Sequence, residues 1–447
     1  MNLHRFLQQR AAEGRAVKVV LIGAGKFGSM YLAQARRTPG VHVLAVIDLA
    51  PERARAALGR VGWEAERYGA RSLDEAAKTG TTLVTDEVER AIAHSATEVV
   101  VDCTGSPAAG IAHALFCCKN GKHIVMVNVE ADALAGPLLA RRAQAAGIVY
   151  TLAYGDQPAL ICELVDWARA AGFMVVAAGK GTKYLPAYHA STPQTVWGHY
   201  GFSEERVAHG DFNAQMFNSF LDGTKSAIEM TAVANATGLT PAPEGLSFPP
   251  CGVDDLARVL RPRSAGGMLH HAGQVEVVSS LERDGRAVFR DLRWGVYVTF
   301  AAADEYVRRC FAEYGIVTDP SGQYAAMYKP SHLIGLELGI SVANVATRGE
   351  PTGAPSGWRG DCVAIAKRAL KAGEVLDGEG GFTVWGKLMS AADSRAKRAL
   401  PIGLAHKVKL KRDLAQGATA SWDDVDCDAS SQAVQIRKEM EQVFGAN

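Results

Sequence analysis

Six residues constrain this chain more than any others. Gly23-Ala24-Gly25-Lys26-Phe27-Gly28 follows directly on the apolar run Val19-Val20-Leu21-Ile22 and leads into Met30, Tyr31 and Leu32, the pattern of a buried strand that turns on glycines into a helix. In that setting each glycine has a task. Gly23 permits the tight turn, Gly25 lets the backbone approach a pyrophosphate, and Gly28 allows helix and strand to pack closely, while Lys26 and Phe27 begin the helix whose free N–H groups attract an anion. Asp48 closes the next strand 20 positions after Gly28, where a carboxylate accepts hydrogen bonds from the adenosine ribose hydroxyls. The motif therefore predicts a Rossmann-type dinucleotide site. Asp48 favours NAD, but Arg53 and Arg55 stand close enough in sequence to neutralise a 2′-phosphate, so the cofactor is written NAD(P)H.

The rest of the N-terminal region agrees. Strand-like runs at 17–22, 41–47, 98–102, 123–128, 148–153 and 173–178 alternate with helices starting near Phe27, Ala108, Ala131 and Pro158, the signature of βαβ units and a doubly wound parallel sheet. Residues 52–85 read as an irregular insertion with helical stretches at 52–60 and 73–79. The fold class is thus α/β over residues 1–179. It is followed by an α+β middle domain for substrate binding and oligomerisation over 180–348, a linker rich in glycine and proline, and a small β-rich unit over 361–447.

Composition narrows the partners. With 48 Lys plus Arg against 47 Asp plus Glu, the formal charge of +1 offers no broad field to nucleic acid or to an anionic membrane. No apolar run reaches the roughly 18 residues of a membrane span. Met1 to Arg15 is polar and lacks a secretory signal's apolar core, and the eight cysteines show no CxxC or zinc spacing, which points to a reducing, cytoplasmic setting. The expected partner is a small molecule.

Further along, Asp102-Cys103-Thr104-Gly105-Ser106-Pro107 ends a strand where this fold places a loop against the nicotinamide ribose, so Thr104, Gly105 and, after the next strand, Asn128 join the cofactor residues. An ordinary strand-to-helix turn with Ser106 as N-cap is the bland reading of the same residues. Cys103 lacks a local base and reads as packing.

Asp102-Cys103-Thr104-Gly105 and 125–135 resemble homoserine dehydrogenase, a likeness covering about the first 240 residues. Over its whole length the chain resembles more closely the reductoisomerase-like oxidoreductases, relatives of homoserine dehydrogenase described as alternatives to deoxyxylulose-phosphate reductoisomerase. The shared segments are Val127-Asn128-Val129-Glu130-Ala131-Asp132, Tyr154-Gly155-Asp156-Gln157-Pro158, Gly179-Lys180-Gly181-Thr182-Lys183-Tyr184, 219–226 and 328–342. The C-terminal unit resembles a SAF domain. These resemblances imply a homodimer that reduces a phosphorylated ketose such as deoxyxylulose phosphate with a nicotinamide cofactor. They also imply that the segment Phe220-Leu221-Asp222-Gly223-Thr224-Lys225 supplies active-site groups.

Lys225 is the first candidate, to protonate a carbonyl oxygen or to stabilise the developing alkoxide, with a solvated helix-start lysine as the plain alternative. Asp222 is the second, and helix capping is its alternative. Lys180, Lys183 and Tyr184, beyond the end of a strand, suit an anion such as phosphate. Homoserine dehydrogenases carry an Asn-Lys pair near Asn128, whereas this chain has Val129-Glu130. The glutamate replaces a cation with a hard oxygen, so Glu130 becomes a candidate for the chemistry and, with Asp132 and Asp156, for binding Mg2+ or Mn2+. The sequence reading is an NAD(P)H-dependent oxidoreductase or reductoisomerase acting on a small, polyhydroxylated, phosphorylated carbonyl compound. Its rivals are a metal-free dehydrogenase of a sugar acid or homoserine-like alcohol, and a non-catalytic NAD sensor.

Overall fold

The computed structural model describes residues 2–209 and 212–445. They form two compact units, one made of residues up to 160 together with 332–356, the other of residues 161–331 together with those from 357 onward.

The first unit is built on six parallel strands, β1 (Val17–Ile22), β2 (Val41–Ile47), β3 (Leu83–Thr85), β4 (Val99–Asp102), β5 (His123–Met126) and β6 (Tyr150–Leu152), in the order β3-β2-β1-β4-β5-β6. Helices cover both faces, which is why β4 and most of β1 and β2 are buried without polar alternation. This is the expected doubly wound sheet with one exchange of strands. β3 lies inside the stretch read as irregular; at three residues it is too short to show a period. The run 173–178, expected as the sixth strand here, pairs elsewhere. The unit is completed from far along the chain: the helix Gly339–Arg348 follows Leu338 and sets Val342, Ala343 and Val345 with Leu338 in the same core cluster as Val19, Leu21 and Val101. A Cβ on Gly335 would fall 2.6 Å from the Phe27 carbonyl oxygen, so this return segment lies directly on the backbone of the glycine-loop helix.

The second unit has a four-stranded sheet of β7 (Met174–Thr182), β8 (Gln274–Ser279), β9 (Val296–Ala301) and β10 (Tyr324–Lys329) in the order β10-β9-β7-β8, with β7 parallel to β8 and antiparallel to β9. The helix Thr224–Thr237 packs on β7 and β8 with one side and, with the other, on the hairpin-like pair β11 (Gly360–Ala366) and β13 (Val384–Ser390). Covered on two sides, it is buried along almost its whole length. A second small sheet joins β12 (Val375–Asp377), β14 (His406–Leu410) and β15 (Val425–Asp426).

Two expected boundaries are therefore corrected. Residues 332–348, assigned to the middle domain, complete the dinucleotide unit, because their apolar side chains are buried in its core. Residues 361–447, read as a separate β-rich domain, belong to the second unit as far as they are described. Their attachment includes a buried guanidinium: Arg437 of the last helix, Gln432–Gly445, makes a two-armed ion pair with Asp361 at the start of β11 and lies 5.0 Å from the Trp358 ring.

Candidate functional site

In the first unit the glycine loop is built as its sequence requires. A Cβ on Gly28 would sit 2.2 Å from the Gly23 carbonyl oxygen, closer than any real contact, and Gly23 itself has φ 94°. Gly25 is exposed, caps the helix Lys26–Ala35 without any side-chain bond, and has open space where a Cβ would be. The helix thus leaves its first N–H groups available to an anion, the arrangement a pyrophosphate needs. Lys26 is exposed beside it and Phe27 packs against the core. The buried Asp48 carboxylate accepts from Ala24 N–H (3.1 Å) through one oxygen and from Ala50 N–H (3.1 Å) and the Arg53 guanidinium (2.9 Å) through the other. It braces the loop from the end of β2.

The second cofactor loop is organised around a residue the sequence reading did not single out. Asp102, fully buried, accepts from Thr104 N–H (2.9 Å) and Thr104 Oγ1–H (2.7 Å), and its other oxygen lies 2.7 Å from His113 Nδ1. Asn128 donates to Thr104 Oγ1 (3.1 Å) and the Ser106 carbonyl (2.7 Å), and its Oδ1 caps the helix Val129–Ala145 through Ala131 N–H (3.1 Å). Thr104, Gly105 and Asn128 are therefore brought together. Ser106 also caps its helix, the bland role weighed for it. The available signal was a carboxylate ending the all-valine run Val99-Val100-Val101. The Cys103 thiol is raised far above its ordinary range by burial and by Asp102, consistent with packing.

The proposed metal trio is not formed. Among the described residues no three His, Cys, Asp or Glu side chains are grouped as a metal site requires. Glu130 and Asp132 lie two apart on one helix, about 200° around its axis, so they face opposite ways. Asp132 points into the core, where its Oδ1 accepts from the Tyr150 hydroxyl (2.9 Å) and burial pushes its pKa up to about 7. Asp156 turns an oxygen to Gln157 N–H (2.9 Å) at the start of the helix Gln157–Ala170.

In the second unit, Lys180 does not serve as an anion ligand, since it is buried in an ion pair with Glu229 of the Thr224–Thr237 helix. Lys183 is better placed. Its ammonium donates to the His199 carbonyl and stands 5.5 Å from the Tyr200 ring, and Arg293 lies 5.8 Å from the same ring, so two cations gather there. Burial and Arg293 hold the Lys183 pKa below its ordinary value. Asp222 is fully buried: Thr224 N–H donates to one oxygen (2.9 Å) and Lys367 Nζ lies 2.7 Å from the other, while Lys367 also donates to the Ser191 and Gly381 carbonyls (2.7 Å each). Burial raises the Asp222 carboxyl despite the pull of Lys367.

Lys225 follows on the first helical turn. It is the sole residue of 221–235 that is not buried. Beside the Gly223 turn, His189 stacks on Trp385 (3.8 Å), with Nδ1 2.7 Å from the Asp222 carbonyl and Nε2 2.9 Å from the Tyr184 hydroxyl. A carbonyl can only accept, so Nδ1 carries the proton and Nε2 accepts from Tyr184. Burial, Lys367 and Lys387 keep this imidazole neutral by lowering its pKa. A cavity of about 290 Å³ opens here, lined by His189, Gly223, Glu244, Phe248, Trp385 and Lys387. Sequence spacing could not have assembled this cluster: its members span nearly 200 residues and come from segments read as separate domains.

Comparisons with known proteins fit this division. The family model of the homoserine dehydrogenase NAD binding domain matches residues 23–152, and that of the catalytic domain of the oxidoreductase DRL matches residues 155–338. No curated protein matches the sequence. Solved structures with some likeness include a protein assigned as a myo-inositol dehydrogenase from Sinorhizobium meliloti 1021 (12% identity, 75% of this chain and 90% of that chain, TM-score 0.38). A protein assigned as the oxidoreductase yvaA from Bacillus subtilis gives 11% identity, 75% and 89% coverage and a TM-score of 0.36. The myo-inositol dehydrogenase of Lactobacillus casei, solved with NAD(H) and myo-inositol, gives 16% identity and a TM-score of 0.28, with 40% of this chain covering only 50% of that one. At such scores these likenesses carry no argument about substrate. What the family models and the glycine loop support together is that this chain joins an NAD-binding domain to the catalytic domain of an oxidoreductase.

Proposed function

We propose that the protein is an NAD(P)H-dependent reductase of the reductoisomerase-like kind, working as a homodimer on a small, polyhydroxylated, phosphorylated carbonyl compound such as deoxyxylulose phosphate. The observation that carries the reading is the match of the DRL catalytic domain to 155–338, the stretch holding Lys183, Asp222 and Lys225. The open helix end at Gly25, with Lys26, suits a pyrophosphate; Asp48 suits the adenosine ribose, and Thr104, Gly105 and Asn128 the second ribose. When bound, the nicotinamide supplies hydride to a carbonyl carbon. Lys225, half-buried on an otherwise buried turn, then gives its proton to the carbonyl oxygen or holds the alkoxide by charge. Lys183 and Arg293 take the phosphate, and Asp222, fixed by Lys367, sets the turn that presents Lys225. Glu130 is assigned as an acceptor for a substrate hydroxyl.

The test is oxidation of NADPH and of NADH by the purified protein with deoxyxylulose phosphate, with and without Mg2+ or Mn2+. Formation of methylerythritol phosphate is the expected result. Reduction without a rearranged skeleton would move the assignment to a simple dehydrogenase, and no turnover at all would leave deoxyxylulose phosphate out. Lys225→Ala should lower turnover by roughly 10²- to 10⁴-fold with the dissociation constant for the cofactor nearly unchanged. Unaltered turnover would remove Lys225 from the chemistry.

A further inference from the structure

The dinucleotide loop lies at the carboxyl ends of β1 and β2, and the opposite end of β1, β2 and β3 holds a second hollow. A cavity of about 380 Å³ is lined there by Lys18 in the first half of β1, His42 in the first half of β2, Thr82 just before β3, and by Arg36, Trp63, Arg67 and Lys78 around them. Four cations line it and no carboxylate does. Among the described residues none of Lys18, Arg36, Arg67 and Lys78 makes an ion pair, although the chain as a whole balances 48 basic residues against 47 acidic ones and pairs many of them. The unmatched charge is thus local to this hollow.

Helix geometry accounts for only part of it. Arg36 and Lys78 sit at the C-terminal ends of the helices Lys26–Ala35 and Leu73–Thr79, where a cation complements the helix dipole. Lys18 is on a strand and Arg67 in the short turn Ala65–Tyr68, so neither has a helix end to answer. Each helix end contributes roughly half a negative charge, which leaves about three positive charges uncompensated around the cavity. Three of the lining side chains are also held in place. The Arg36 guanidinium donates to the Gly62 carbonyl (2.9 Å), Trp63 Nε1–H donates to the Leu32 carbonyl (2.9 Å), and His42 Nε2–H donates to the Thr81 carbonyl (2.7 Å). The volume is within the range of small-metabolite pockets, and the Trp63 ring supplies one flat apolar wall.

We propose that this cavity is a second anion site, separate from the cofactor loop, for a metabolite carrying a diphosphate group. It does not depend on the catalytic assignment above. The experiment is isothermal titration of the full-length protein, already saturated with NAD+ so that the glycine loop is occupied, with inorganic pyrophosphate and with ADP. Binding of both is expected, accompanied by a change in tryptophan fluorescence that is lost in Trp63→Phe. The double variant Arg67→Gln/Lys78→Gln alters two side chains that make no hydrogen bond or ion pair. It should keep the wild-type melting temperature and NAD+ affinity and bind pyrophosphate at least tenfold more weakly. Absence of binding at millimolar pyrophosphate, binding that NAD+ abolishes, or equal affinity in the double variant would each overturn the proposal.

Discussion

Two glycines of one loop separate binding from folding. At Gly28 a methyl group would collide with the Gly23 carbonyl, so Gly28→Ala should cost about 1–3 kcal/mol of stability and weaken NAD+ binding with it. Gly25 has ordinary backbone angles and open space about it, so Gly25→Ala should leave urea unfolding unchanged and weaken NAD+ at least tenfold by crowding the approach of the pyrophosphate. A Gly25→Ala protein that binds as well as wild type would show that the pyrophosphate does not rest there. These roles were legible because the loop's chemistry is local. His189 and Lys367 were not, since each acts on a partner that only the folded chain brings near.

Asp132 titrates with a sign opposite to that of a salt-bridged carboxylate. Its pKa is pushed up to about 7 in the fold by burial, while an unfolded aspartate titrates near 3.9. Between those values the folded state holds a proton that the unfolded state has released, so this group's contribution to stability falls as pH rises through that window. The full effect is of the order of a few kcal/mol. Urea unfolding at pH 5 and pH 8 should therefore show a drop on going to pH 8 that is smaller in Asp132→Asn. An equal drop in both proteins would place the pH dependence elsewhere.

At the scale of elements, periodicity located strands and helices but could not say which sheet received them. The run at 173–178 has the apolar character of a Rossmann strand, yet as part of β7 it pairs with β8 and β9. The helix Gly339–Arg348 is amphipathic, and nothing in that pattern reveals that its apolar face closes a core begun more than 300 residues earlier. Leu338→Ala should accordingly destabilise the dinucleotide unit by about 2–5 kcal/mol and lower NAD+ affinity, because the preceding Gly335 rests on the Phe27 backbone. A variant whose NAD+ binding and unfolding match wild type would contradict this placement.

For the whole molecule, the C-terminal region is expected to be needed for the second unit to fold. It covers one side of the Thr224–Thr237 helix and supplies Lys367, without which Asp222 is a buried charge with no cation. A chain ending at Ser356 should retain NAD+ binding in its first unit and leave the second molten, seen as dye binding and rapid proteolysis of 161–331. A compact second unit in that truncated chain would instead identify the C-terminal region as an appended module.

The interrupted build of the first unit also has a consequence on the ribosome. The glycine loop is synthesised early, but Leu338 and Val342, which fill the core beneath it, emerge about 190 residues after the last strand of its sheet. At about 5–20 residues per second that is a delay of roughly 10–40 s. For that interval the nascent dinucleotide sheet carries an open apolar groove, and cofactor capture must wait until the intervening catalytic segment has left the exit tunnel.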